Sequence, residues 1–135
     1  MERKVVLITG GSRGIGAATA RMAAHRGWDV VISYQHQRDA AEAVVADVQL
    51  AGTRALAVQA DVGDEAEVLA LFGAVDAQFG RLDALVNNAG VVDRAQTVAE
   101  MSVQRLERMF RVNTIGSFIC AREAVRRMST RHGGR

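Results

Sequence analysis

The sequence is short of several residues that specialised proteins depend on. It has one cysteine, Cys120, so no disulfide framework can hold the chain together, and a reducing, cytoplasmic setting is expected. Cys120 lies in a Phe-Ile-Cys-Ala run, where a thiol reads as a small buried hydrophobe. Aromatic residues make up only 4%, too few for base-stacking surfaces, and the sixteen arginines are scattered rather than massed. Nucleic acid is therefore not expected as a partner. No apolar run approaches membrane-spanning length, so no membrane is expected either. The opening MERKVVLITG runs straight into an apolar strand and leaves no room for a signal peptide. No metal site is expected, and neither a low-complexity linker nor an internal repeat is visible.

What remains is the composition of an ordinary soluble domain. The chain is 49% apolar and 24% charged, with a net charge of +2. Its 135 residues suffice for one domain, 1–135, with a real core. Along the chain, short β-branched runs alternate with helical stripes. Strands are predicted at Lys4–Thr9, Asp29–Tyr34, Arg54–Ala60 and Leu82–Asn87. Helices are predicted at Ile15 to about Arg26, over 38–50, and from a cap at Asp64 to a stop at Gly80. A last long helical region starts at Ser102 and reaches roughly Thr130. Strand-helix alternation with short connections predicts an α/β fold. That fold is a doubly wound parallel sheet between two helical layers, whose ligand crevice lies beyond the carboxyl ends of the strands.

The stretch TGGSRGIG, residues 9–16, sits at such a strand end. Gly10 suits the sharp turn out of the strand, Gly14 lets the backbone approach a bulky ligand, and Gly16 lets the new helix pack closely on the sheet. The first turn of that helix offers unpaired N–H groups and the positive end of the dipole, a site for pyrophosphate. The spacing Gly-x-x-x-Gly-x-Gly after Thr9 resembles the cofactor motif of the short-chain dehydrogenase/reductase superfamily.

Three further elements carry the same resemblance in the same order. Asp61-Val62 closes the third predicted strand, where the family sets a side chain against adenine; as an isolated feature Asp61 is also a plain turn former. Asn87-Asn88-Ala89-Gly90 ends the fourth, and its amides can bond across neighbouring loops. Val112-Asn113 interrupts the last helical region, where the family has an active-site asparagine whose carbonyl helps hold a water of the proton relay. The resemblance implies a Rossmann-type, three-layer αβα fold, incomplete at its C-terminal side. It implies a cofactor site formed by Gly10, Ser12, Arg13, Gly14, Ile15, Gly16, Tyr34, Gln35, Asp61, Val62, Asn88, Ala89 and Gly90, and a catalytic role for Asn113.

The second predicted strand ends Ile32-Ser33-Tyr34-Gln35-His36, with no carboxylate before Asp39 to accept both ribose hydroxyls. Arg13 matches the position where NADP-using relatives carry a basic residue, and a guanidinium binds phosphate by two parallel bonds. NADP(H) is favoured over NAD(H), with Tyr34, Gln35 and Arg38 as further contacts.

The family reduces carbonyls or oxidises secondary alcohols, and its general acid is a tyrosine with a lysine four residues later. Here the only tyrosine is Tyr34 and the only lysine is Lys4, so no such pair can be written. Ser117, Ser129, His25, His36 and His132 are poor substitutes, none being paired with a base at recognisable spacing. The reading is therefore the N-terminal part of a longer NADP(H)-dependent oxidoreductase. Its substrate is expected to be a small carbonyl or alcohol of 3-oxoacyl or sugar/polyol type, and residues 1–135 alone are expected to be inactive. A stand-alone nucleotide-binding or sensing module is the alternative. Residues 91–101 are expected at the substrate mouth. Phe110, Ile115, Phe118, Ile119, Val125 and Met128 surround much of the last helix, so a second partner is expected there; the resemblance, in which this helix packs against its symmetry mate, implies a homo-oligomer.

Overall fold

The computed structural model describes residues 2–128; Ser129 and His132 lie outside them. Four strands, β1 (Val5–Ile8), β2 (Asp29–Tyr34), β3 (Ala55–Gln59) and β4 (Ala84–Val86), form one parallel sheet in the order β3-β2-β1-β4. The helices between them are α1 (Gly14–His25), α2 (Arg38–Leu50) and α3 (Glu65–Phe79). After β4 come an extended loop, a single 3₁₀ turn at Val98–Glu100, and α4 (Val103–Phe110). A π-turn at Arg111–Ile115 then leads into α5 (Gly116–Met128). Each predicted element is present, and most ends move by only a residue or two. β2 keeps its predicted bounds, and β1, β3 and β4 are shorter because the outermost residues of each predicted run sit beyond the last ladder pair.

Alternation along the strands sorts the core into two layers. Val6, Ile8, Val30 and Ile32 meet Ala17, Ala20 and Ala24 of α1 and Ala41, Val44 and Val48 of α2. Val5, Leu7 and Val31 meet Val68, Leu71, Phe72 and Val75 of α3, with Val112, Cys120 and Ala124 from the last helical region. This is the three-layer αβα arrangement expected from the sequence. Cys120 is wholly buried, as predicted, and burial pushes its thiol up to about 11. On the same layer the buried Glu123 lies among Arg122, Arg126 and Arg127, and Arg127 carries the contact on to Asp76 of α3 at 2.8 Å. Burial alone would raise the Glu123 carboxyl, but its hydrogen bonds to Arg122 and Arg127 hold it below the ordinary range.

The centre of the sheet is better covered than its edges. Every residue of β1 and β2 is buried, whereas β4, an edge strand, is half-buried throughout. Beside it a groove of about 390 Å³ is lined by Leu85, Ala121, Ala124, Val125 and Met128. Phe110, Ile115, Phe118 and Val125 are exposed on the last helical region. Ile119 and Met128, by contrast, pack against the core. Among the described residues no helix is long and apolar enough to cross a membrane.

Candidate cofactor crevice

The site begins where β1 stops. Gly10 takes a left-handed conformation, φ +64°, that a side chain would strain, and this turns the chain out of the strand. The N–H of Gly10 donates to Ser33 Oγ at 3.2 Å and that of Gly11 to the Ser33 carbonyl at 2.9 Å, tying the turn to the end of β2. Across the turn, Thr9 Oγ1 accepts the N–H groups of Asn88 and Ala89, both at 3.0 Å. The Asn88 amide donates back to the carbonyls of Thr9 (3.1 Å) and Gly10 (3.0 Å). The bonding across loops expected of the Asn-Asn-Ala-Gly element is thus present, with Asn88 as its centre. Asn87 serves elsewhere, donating to the Ser117 carbonyl at 2.9 Å.

Gly16 is a packing residue. A Cβ there would collide with the Gly10 carbonyl and lie 2.7 Å from the Asn88 amide nitrogen, so only glycine lets α1 start this close to β4's loop. Gly14 differs: a Cβ would meet nothing within 4 Å, but its φ is +56°, and the space above it opens into the crevice. Arg13 is the N-cap, in extended conformation, and its side chain bonds to no helix N–H; the first turn carries no acid. The first helical bond runs from the Ala17 N–H to the Arg13 carbonyl, which leaves the amides of Gly14, Ile15 and Gly16 without an intrahelical acceptor.

These features edge a cavity of about 350 Å³ at the carboxyl end of the sheet, within the usual size of ligand clefts. Of the residues predicted from sequence, Gly10, Ser12, Arg13, Gly14, Tyr34, Gln35, Asp61, Val62, Asn88, Ala89 and Gly90 line it. Ile15, Gly16 and Asn113 do not. Ile15 is 78% exposed, and Gly16 acts from behind the wall. The Tyr34 hydroxyl accepts from Arg38 Nε at 3.3 Å, which raises the guanidinium above its ordinary value. Asp61 is the turn former that its sequence also allowed. It faces the crevice, and its Oδ1 accepts the Gly63 N–H at 2.9 Å in a tight turn.

Asn113 occupies the centre of the π-turn, the helix interruption its sequence context predicted. Its side chain pairs with one backbone residue, accepting from the Val91 N–H at 2.7 Å and donating to the Val91 carbonyl at 2.9 Å. It thereby clamps the loop after β4 to the last helical region. Its own carbonyl accepts from Ser117 Oγ at 3.2 Å. The loop 91–101 runs exposed, apart from half-buried Val91 and Met101, and only Val91 reaches the crevice.

Sequence reasoning missed Ser33, Gln37, Ala60 and Arg108 among the lining residues, and placed Val91 only at the substrate mouth and Val112 only beside Asn113. Ser33 carried a usable signal, a small polar residue ending an apolar strand beside a glycine turn. Arg108 carried none, because nothing distinguishes it from Arg105 on the same helix or Arg111 just after it. Gly116 was also missed. A Cβ there would lie 2.6 Å from the Val62 carbonyl, so this glycine lets α5 begin against the loop after β3.

Residues 4–135 match the family described as short chain dehydrogenase. Versicolorin reductase 1 of Aspergillus parasiticus is 45% identical over the whole chain, which covers 50% of that protein. A short-chain dehydrogenase from Burkholderia cenocepacia solved in complex with NADP superposes with a TM-score of 0.89 at 40% identity, over 93% of this chain and 51% of that one. A NAD+-bound xylitol dehydrogenase gives the same TM-score at 31% identity, over 96% of this chain and 50% of its own. The chain spans about half the length of the curated relatives it matches. With the glycine turn, the Asn88 lock and the interrupted last helix all in one αβα fold, the chain belongs to the short-chain dehydrogenase/reductase family.

Proposed function

We propose that this chain forms the nucleotide-binding part of an NADP(H)-dependent oxidoreductase that interconverts a ketone and a secondary alcohol. The observation that carries the reading is the open start of α1. Three amides point out of a helix with no acid in its first turn and no side-chain cap, at the rim of a cleft large enough for a ligand. That arrangement fits a pyrophosphate, with Gly14 leaving the approach clear. The Arg13 side chain is exposed and makes no hydrogen bond or ion pair among the described residues, so it is free to bind a ribose phosphate. Ser33, Tyr34, Gln35 and His36 bring no carboxylate to the end of β2, in keeping with NADP(H) rather than NAD(H). Relatives of this fold include both an NADP and an NAD+ complex, so the preference rests on Arg13 and the missing acid.

When bound, the nicotinamide supplies or accepts the hydride. The residues of this chain bind and orient it: Asn88 holds the glycine turn, and Asn113 holds the loop after β4. The Asn113 carbonyl is our candidate for holding a water near the reacting oxygen. The sequence contains no tyrosine-lysine pair to deliver the proton, so we assign that step to none of these 135 residues. The exposed Phe110, Ile115, Phe118 and Val125 support a homo-oligomer built on α4 and α5. The test is calorimetry of NADPH binding to the chain and to Gly14→Val. A branched side chain at φ +56° on the pyrophosphate path should abolish binding while the circular dichroism spectrum stays that of the parent. Equal affinity in the two proteins would make the glycine turn ordinary punctuation and overturn the reading.

A further inference from the structure

The lining of the crevice divides by chemistry. Gly10 to Gly14 and Ser33 to Gln37 present backbone and polar groups. Ala60, Val62, Val91 and Val112 present an apolar wall; three of these belong to the core cluster between the sheet and α3, and Val91 packs against it. Phosphates and ribose hydroxyls suit the first part, and a flat, uncharged base suits the second.

Arg108 stands at the apolar part. It precedes Val112 by four residues, so both project from one side of the helix, and both line the crevice. Its neighbours are anchored: Arg105 donates to Gln96 Oε1 at 2.7 Å, and Arg111 donates to the Gly63 carbonyl at 3.2 Å. The Arg108 side chain is exposed and makes no hydrogen bond or ion pair among the described residues. The acid that lines the cavity, Asp61, lies at this same end, where its charge opposes a phosphate. Arg13 sits on the other helical layer, in the polar part.

We propose that Arg108 covers the purine of the bound dinucleotide, stacking its planar guanidinium on the face of the base opposite the Val62–Val112 wall. The inference rests on the nucleotide-binding reading above and adds a base-holding residue from α4. A guanidinium is weakly hydrated and stacks on aromatic faces, which an ammonium does less well. Arg13 and Arg108 then divide the ligand: Arg13 reads the phosphate that distinguishes NADPH from NADH, and Arg108 holds the base that the two share.

The test is calorimetry with 5′-AMP, NADH and NADPH on the full chain and on R108A, R108K and R13E. R108A should weaken all three ligands by one common factor, roughly three- to thirty-fold. R108K keeps the charge but loses the plane, and should remain close to R108A. R13E should weaken NADPH far more than NADH or 5′-AMP, which lack the ribose phosphate. Arg108 is exposed, so equal thermal midpoints should show that its variants fold normally. Unchanged 5′-AMP affinity in R108A, a loss confined to NADPH, or full rescue by R108K would each overturn the proposal while leaving the nucleotide site standing. Absence of nucleotide binding by the parent chain would overturn the site itself, and the proposal with it.

Discussion

Helices α1 and α3 both begin in short loops after a parallel strand, and both enter from extended N-caps, yet their first turns are chemical opposites. In α3 the Asp64 carboxylate accepts the Glu67 N–H at 3.2 Å, and Glu65 and Glu67 place negative charge against the positive end of the dipole. That helix supplies its own anion. In α1 the cap is Arg13, its side chain makes no capping bond, and the first turn is Gly14-Ile15-Gly16 with no acid. Both starts leave amides that need acceptors. One is satisfied by its own residues, the other is left to a ligand, and the contrast marks α1 as functional more firmly than glycine content does.

The largest effect should come from closing the α1 start by force. Gly16→Val would drive a side chain into the Gly10 carbonyl and the Asn88 amide, which together fix the turn. Overpacking of this kind costs about 1–3 kcal/mol or more, so both the thermal midpoint and NADPH binding should fall. Gly14→Val should lose binding with a smaller loss of stability, because a Cβ there meets no protein atom within 4 Å and only the left-handed φ of +56° is strained. Denaturation and calorimetry on the two variants separate these outcomes. If both variants lost stability equally, Gly14 would be structural too.

A smaller effect follows from making α1 resemble α3. Arg13→Glu puts an acid at the helix start and removes the proposed phosphate partner. A charge-assisted bond contributes roughly 1.5–3 kcal/mol, so NADPH affinity should drop about ten- to a hundredfold. NADH should suffer less, since it lacks the extra phosphate. A ratio of NADPH to NADH affinity that does not move in calorimetry would remove Arg13 from cofactor choice.

Legibility in the sequence followed how local the cause is. The glycine turn, the Asp64 cap and the stop at Gly80 depend on neighbours within a few residues, and each was readable as a pattern. The alternation of strands and helices gave the layered fold. The crevice residue that most escaped notice, Arg108, belongs to it because the last helical region lies over the loop after β3. That contact spans some fifty residues, as the bond from Arg111 to the Gly63 carbonyl shows. No local signal encodes it. Asn113 is legible because an asparagine is a poor residue inside a helix, but its clasp on Val91 joins two separate elements and leaves no local pattern.

The smallest effect should come from opening α3 to resemble α1. Asp64→Ala removes the one carboxylate that accepts an amide of that first turn, and leaves Glu65 and Glu67 to act on the dipole alone. Loss of such a cap costs about 0.5–2 kcal/mol, read as a lower midpoint in urea with an unchanged slope. Asp64 does not line the crevice, so NADPH affinity should stay that of the parent. The variant also exposes an uncapped helix start without the glycines, the left-handed turn or the cleft that surround α1. If an uncapped N-terminus were enough to attract a nucleotide, a second binding event should appear in the calorimetric titration. Its absence, with the first event intact, would show that α1 binds through its setting: the turn at Gly10, the clearance at Gly14 and the lock at Asn88.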